Sequence, residues 1–333
     1  MASAIISRAL LSLVLLLAGV VHLVRPDLFD PAIPFWPKAQ INLLAGVLEC
    51  LLAIGLWTPK LRDRVAQLTA LWFLILIPIH IYVSWNAIEI FGISHPALLW
   101  ARTLLQLPLY FWALSLQDKG WLMAQRWSDV AFLHYAVEAK KLQEKVPFPL
   151  DLYQGDAVVS IVPFVMSHIR FPFLLPVPGF STLRELNLRT YVRVNGVPAV
   201  YFFTLDSNHL PGVLIAQWFF ALPYRWIKLT FNSSPFYDFS SPEFHLLAKV
   251  GGKKSSHEFD RWSTERYSLL TKLGQTELRG IVEHAPWELR ELKVLEMTDH
   301  FSKMLGEELR MKKLIGSSYA ERLDVRFRPF RKP

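Results

Sequence analysis

The chain has 333 residues, 52% of them hydrophobic, with 12 Trp, a mean hydropathy of +0.27 and a formal net charge of +8. This composition suits a partly membrane-embedded protein rather than a wholly soluble one, and the single cysteine, Cys50, excludes a disulfide framework and a CxxC metal site. No recognition motif accompanies the positive charge, so no nucleic-acid partner is expected, and the basic residues read as attraction to anionic lipid or as a solvated tail.

Four apolar stretches fill the first third: Ala2–Val24, Ile41–Trp57, Val65–Trp85 and Pro96–Leu116. Each approaches the ~20 residues that a helix needs to cross the hydrocarbon core, the fourth being interrupted by Pro108. They predict a transmembrane four-helix domain over residues 1–117. Arg8 precedes the first run as in a signal peptide, but no clear A-x-A cleavage site follows, which predicts a retained helix. Lys60, Arg62 and Arg64 lie between spans two and three, whereas the loop Asn86–His95 has no Lys or Arg. The positive-inside rule then places both termini and the remaining two thirds of the chain in the cytoplasm, with Arg25 and Lys38 as weak dissent.

His22, Glu49, His80 and Arg102 interrupt the apolar runs. Ionisable groups are costly in hydrocarbon and usually face a bundle interior in pairs. The rise of a helix lets all four meet in the outer half of the membrane. Asn42, Gly46, Glu49 and Ala53 form one small and polar stripe on the second helix, with Arg102 expected as the partner of Glu49. Two readings stand: a structural ion pair, or a site for a quinone, a proton or a small ligand.

The run AGVVHLVRPDLFDPAIPFWP, then NLLAGVLECLLAIGLWTPKLRDRVAQ, then PIHIYVSW and an Arg-bearing last span resemble the DoxX-like four-helix membrane proteins over about residues 5–116. The resemblance implies a bundle in a bacterial inner (plasma) membrane and the lipid bilayer as partner. Because some relatives are linked by name to quinone-dependent sulfur oxidation, it also leaves open a membrane redox partner.

Residues 118–129 read as a juxtamembrane linker with Lys119 and Arg126 as interfacial anchors. Val130–Val146 reads as a mixed amphipathic stretch, and short apolar runs punctuated by Gly, Pro, Asn and Asp follow, which predicts β structure. Asn195-Gly196 between two β-like runs predicts a hairpin with a type I′ turn. Counting from that turn pairs Arg193 with Pro198, Tyr191 with Val200, Arg189 with Phe202, Asn187 with Thr204 and Glu185 with Asp206. Alternation then puts Glu185, Asn187, Arg189 and Tyr191 on one face with Thr204 and Asp206. This row is either a solvated outer face or the lining of an enclosed pocket. The apolar partner strand Ala199–Leu205 favours the pocket, where Glu185 and Asp206 would have perturbed pKa values.

ELNLRTYV, GVPAVYFFTLD, LPY at Leu222–Tyr224, WSTERY and HAPWEL, with FLHYAVEAKKL, GDAVVSIVPF and LDVRF, resemble the YqjF-like proteins over about residues 130–327. That family is grouped with the acetoacetate-decarboxylase-like fold. The resemblance implies a mostly antiparallel β-barrel (an α+β domain) around a ligand cavity, followed by a basic tail, 328–333. It does not carry the decarboxylase chemistry across. A Schiff-base lysine needs desolvation or a neighbouring cation, but Lys140–Lys141 reads as a surface helix and Lys253–Lys254 as part of the polar loop GGKKSSHE. Lys228 in LPYRWIK is the remaining lysine candidate.

No His spacing suits a metal, and no G-x-S-x-G, P-loop or GxGxxG occurs, so no motif requires a cofactor. The expected function is a membrane-anchored module binding a small organic ligand, such as a carboxylate, through Glu185, Asn187, Arg189, Tyr191, Thr204, Asp206, Glu265 and Arg266. The alternative is an enzyme: a lyase or hydrolase using Glu185, or a quinone-linked redox component using Glu49 and Arg102.

Overall fold

The computed structural model describes residues 2–176, 182–220, 222–254, 257–301, 305–306 and 313–333. The chain falls into two compact units, Met1–Leu122 and Met123–Pro333.

In the first unit, helices α1 (Ala2–Val24), α2 (Lys38–Gly55) and α3 (Arg62–Trp85) are long and apolar enough to cross a membrane. The fourth expected span is instead two shorter helices, α4 (Pro96–Leu104) and α5 (Gln106–Ser115). Pro108 explains the break, since it has no N–H and its ring crowds the carbonyl four residues back, that of Leu104. Hydrogen bonds from Leu105 N to Ala101 O (2.9 Å) and from Leu109 N to Leu105 O (3.1 Å) carry the chain across it, so the break is a kink.

The stripe Asn42, Gly46, Glu49 and Ala53 is buried, while Leu43, Leu44, Leu51 and Ile54 on other faces of α2 are exposed. Glycine is required where α1 meets α2: a Cβ on Gly46 would lie 2.8 Å from Gly19 O, and one on Gly19 would lie 2.8 Å from Gly46 O. Gly46→Leu is therefore expected to force the helices apart at a cost of about 1–3 kcal/mol. A fall in the thermal midpoint of the detergent-solubilised chain, absent in Leu51→Ala, is the measurement that checks it.

The second unit begins with a 15-residue strand, β1 (Met123–Val137), so residues 123–129 belong to the barrel and not to a linker. Arg126 accordingly pairs with Asp324 across β1 and β12 rather than anchoring at an interface. A short helix, α6 (Ala139–Gln143), precedes β2 (Ala157–Arg170), β3 (Leu183–Val194) and β4 (Val197–Ser207). Then come α7 (Leu210–Phe220), β5 (Tyr224–Trp226), β6 (Thr230–Asn232), β7 (Tyr237–Ser240), β8 (Phe244–Lys253), α8 (Glu258–Thr264), β9 (Ser268–Leu273), β10 (Thr276–Glu283), β11 (Leu289–Asp299) and β12 (Lys313–Phe327).

Pairing in the order β1-β2-β3-β4-β9-β10-β12, with β12 returning to β1, closes a ring of strands. The sheet is mixed: β4 is parallel to β5 and β9, and the other named pairings are antiparallel. β12 also starts a branch, β11-β8-β7-β6. The branch contributes Phe239 and Leu246 to the same core as Leu186 and Leu188 of β3, which covers the outer face of the hairpin. The inward face carries a second core that includes Val158, Val200, Leu269, Val282 and Val325, one residue from each of five ring strands. Residues 328–333 are not a free tail, because Arg331 exchanges backbone hydrogen bonds with Arg279 of β10 at 2.6 and 3.0 Å.

The Asn195-Gly196 turn forms as expected, with φ of 52° and 76°, and Arg193 opposes Pro198. The counted register holds as far as Arg189 opposite Phe202. Beyond it Leu188 opposes Thr204, so Phe203 is an extra residue on β4, a β-bulge. Asn187 therefore opposes Leu205 and Glu185 opposes Ser207, and every β4 side chain past the bulge changes face.

Candidate functional site

Alternation on β3 points Glu185, Asn187, Arg189 and Tyr191 into the ring, where all four are buried. The bulge sends Thr204 and Asp206 to the opposite face, away from the row in which they were expected. There Asp206, 0% exposed, accepts from Thr204 Oγ1 at 2.6 Å and forms a two-pronged pair with Arg225 at 2.7 Å for each prong; Arg225 also reaches Glu243 at 2.7 Å. This network is a structural clamp between β4 and β5.

Glu185 is held by Tyr224, whose hydroxyl donates to Oε2 at 2.8 Å, and by Asn187. Burial pushes its pKa up to about 8 despite these hydrogen bonds, with a smaller upward push from the charge of Asp206. The carboxyl is thus largely protonated near neutral pH.

Arg189 lies across the strands from Ser160 of β2, which itself lies across from His134 of β1. The guanidinium sits over the rings of Phe132 and Tyr191, at 5.5 and 5.9 Å to their centroids. It is 8% exposed, yet no carboxylate or other hydrogen-bond acceptor among the described residues meets it, and its Nε is fully buried without a partner. Three other buried atoms on the same inward face lack partners among the described residues: Asn187 Oδ1, His134 Nε2 and Ser318 Oγ. Native interiors pair nearly all such groups, so four orphans on neighbouring strands mark a place for an occupant.

His134 is 1% exposed, with Nδ1 at 2.7 Å from Ser160 Oγ, which lies 2.8 Å from the Tyr191 hydroxyl. Burial, with the nearby charges of Arg189 and Lys254, lowers its pKa to about 3, so the imidazole is neutral. From α8, Phe259 packs edge-on against His134 at 5.2 Å and Trp262 packs against Tyr191 at 4.6 Å. Trp287 meets Phe132 edge-on at 5.0 Å. Neither His134 nor Ser318 stands out in the sequence, because a lone His in the apolar run FLHYAV reads as a core residue.

The remaining expected residues have other tasks. Arg266 pairs with Asp151 and stacks over Trp262 at 4.6 Å and Tyr191 at 5.0 Å, at the edge of the row. Glu265 accepts from Trp287 N at 3.0 Å and from the Tyr267 hydroxyl, which fixes the segment before β11. Lys228 is exposed between β5 and β6, without the desolvation that a Schiff-base lysine requires. Lys254 is tied to Asp260 at 2.7 Å, and Ser255 and Ser256 of the same loop lie outside the described residues.

In the helical unit, Glu49 accepts from Trp72 Nε1 at 3.0 Å, and no Glu49–Arg102 ion pair exists among the described residues. Arg102 is instead within electrostatic reach of His22 and His80. His22 Nδ1 lies 2.9 Å from Asn42 Oδ1, and Asn42 Nδ2 donates to Asp30 at 2.7 Å. Of the four polar residues expected to meet, His22 and His80 are thus each within reach of the charge of Arg102, and Glu49 is held by Trp72 instead. Among the described residues no group of three or more His, Cys, Asp or Glu could hold a metal ion.

Residues 124–321 match the model of a family described as an uncharacterized conserved protein, DUF2071. The chain belongs to the DUF2071 family. A member from Bacillus subtilis, the uncharacterized protein YqjF, is 35% identical over 238 residues, which cover 66% of this chain and 96% of the relative. Residues 11–117 match a domain of unknown function, DUF8561. Among solved structures the DUF2071 chain is similar to an acetoacetate decarboxylase, with 14% identity and a TM-score of 0.49 over 65% of this chain and 90% of that one. It is also similar to the acetoacetate decarboxylase of Legionella pneumophila, with 14% identity and a TM-score of 0.45 over 62% and 86%. The inward row of the DUF2071 unit comes from β1, β2, β3 and β12, all within or overlapping the matched residues.

Proposed function

We propose that this protein is a membrane-anchored module whose barrel binds a small organic carboxylate on Arg189. One observation carries this reading: a guanidinium buried inside the ring that no anion among the described residues meets. A buried unpaired charge costs several kcal/mol, and an incoming carboxylate offsets that cost through a planar, two-pronged hydrogen-bonded pair. Titration calorimetry of the full chain in nanodiscs against a panel of short mono- and dicarboxylates tests it. Arg189→Gln is expected to weaken binding by about 100-fold or more, since losing one partner of a buried charge pair costs about 2–5 kcal/mol. Unchanged affinity in that variant would remove the reading.

The helical unit serves as the anchor. It is a DoxX-like bundle of four spans in a bacterial inner membrane, with kinked α4 and α5 together acting as the fourth. Lys60, Arg62 and Arg64 lie on the cytoplasmic side, with both termini and the barrel. The apolar outward residues of α1 to α3 support this arrangement.

A second reading rests on Glu185. A carboxyl kept neutral near pH 7 inside a ligand site has the protonation state of a general acid, which would make the barrel a lyase or hydrolase acting on the acid held by Arg189. Consumption of the bound acid by the parent chain and not by Glu185→Gln would favour it.

A further inference from the structure

The carboxylate reading leaves three of the four inward orphans unexplained, and two of them define a second contact. Phe132 links them: the Arg189 guanidinium lies over its ring, His134 stacks beside it at 6.1 Å and Ser318 opposes it across β1 and β12. The charge of Arg189 also acts directly on His134, so the two are neighbours. His134 Nε2 and Ser318 Oγ, on residues 1% and 0% exposed, therefore face the space beside the guanidinium with no partner among the described residues.

The hydrogen-bonded row Tyr191–Ser160–His134 fixes what Nε2 offers. If the Tyr191 hydroxyl donates to Ser160 Oγ and Ser160 donates to His134 Nδ1, both protons find acceptors and Nε2 carries the hydrogen of the neutral ring. Run in the opposite direction, the row leaves the Tyr191 proton without an acceptor as well as Nε2 unpaired, which costs one more buried group. The favoured direction makes Nε2–H a donor aimed into the ring, beside a serine hydroxyl free to donate to the same atom.

We propose, building on the carboxylate reading, that the occupant carries a second oxygen acceptor close to its carboxylate, as a 2-oxo or 2-hydroxy carboxylate does, and that His134 Nε2–H and Ser318 Oγ–H bind this oxygen. Ser160 and Tyr191 act as positioning residues through the tautomer they impose. The site then discriminates against plain alkanoates, because an acid lacking the second oxygen leaves both donors buried and unpaired.

The test uses the full chain in nanodiscs and two matched pairs of probes, 2-oxobutanoate with butanoate and lactate with propanoate, measured by calorimetry. The parent is expected to prefer the oxygen-bearing member of each pair by about tenfold or more. Ser318→Ala is expected to reduce that preference several-fold, read as the ratio of the two affinities within each pair, which general loosening of the barrel would not change. Arg189→Gln should lose both members of each pair. Equal affinity of the parent for the members of both pairs, or a preference untouched in Ser318→Ala, overturns the second contact and leaves the carboxylate reading intact. Failure of the parent to bind any of the four acids overturns the carboxylate reading and the second contact with it.

Discussion

Glu185→Gln is expected to stabilise the barrel at pH 8 and above, and to flatten a decline in stability that the parent shows between about pH 4.5 and 8. In the folded chain burial raises the Glu185 pKa from 4.5 to about 8. The folded state therefore holds the proton over a range in which the unfolded chain has released it. The contribution is full below the unfolded value, is lost as pH rises through the folded one, and stays lost above it. At about 1.4 kcal/mol per unit the loss is of order 5 kcal/mol, worth roughly 10–20 °C in the midpoint of a unit of this size. Gln keeps the shape and can still accept from Tyr224, but it has no charge to bury. Thermal unfolding of both chains across pH 4 to 9 would show it; parallel profiles would mean that Glu185 is solvated or paired in a way its 2% exposure does not allow.

The second large effect belongs to the clamp on the opposite face. Arg225→Ala leaves Thr204 as the one close side-chain partner of the buried Asp206 among the described residues. A fully buried pair broken on one side costs about 3–5 kcal/mol, and because the Arg225 side chain is 35% exposed a loss at or below the lower end of that range is expected. The double variant Asp206→Leu with Arg225→Met is expected to recover most of that stability, because it removes the uncompensated charge along with its partner. Urea unfolding of the single and double variants measures the difference. A single variant as stable as the parent would show that Asp206 does not occupy the buried position beyond the Phe203 bulge.

That bulge separates what the sequence shows from what it hides. Asn195-Gly196 fixes its turn through positive φ at two residues, and alternation from it correctly turns Glu185, Asn187, Arg189 and Tyr191 inward. The apolar run Ala199–Leu205 rightly signals a sheet covered on both sides. Phe203 carries no mark of an extra residue, and one unseen residue is enough to exchange Thr204 and Asp206 for Leu205 and Ser207. His134 and Ser318 are invisible for another reason, since their importance comes from strand closure between β1 and β12, far apart in the chain. In the helical unit the stripe on α2 is readable from spacing alone. The partner of Glu49 is not, because Trp72 offers an indole N–H where a search for charge finds only Arg102.

The most direct measurement is mass spectrometric identification of whatever small acid leaves the full chain when it is purified in nanodiscs and then denatured, with Arg189→Gln prepared in parallel. A carboxylic acid released in near-stoichiometric amount by the parent and missing from the variant is the expected result. The same acid recovered equally from both proteins, or none from a parent that also binds none of the offered carboxylates, would contradict a carboxylate site built on Arg189.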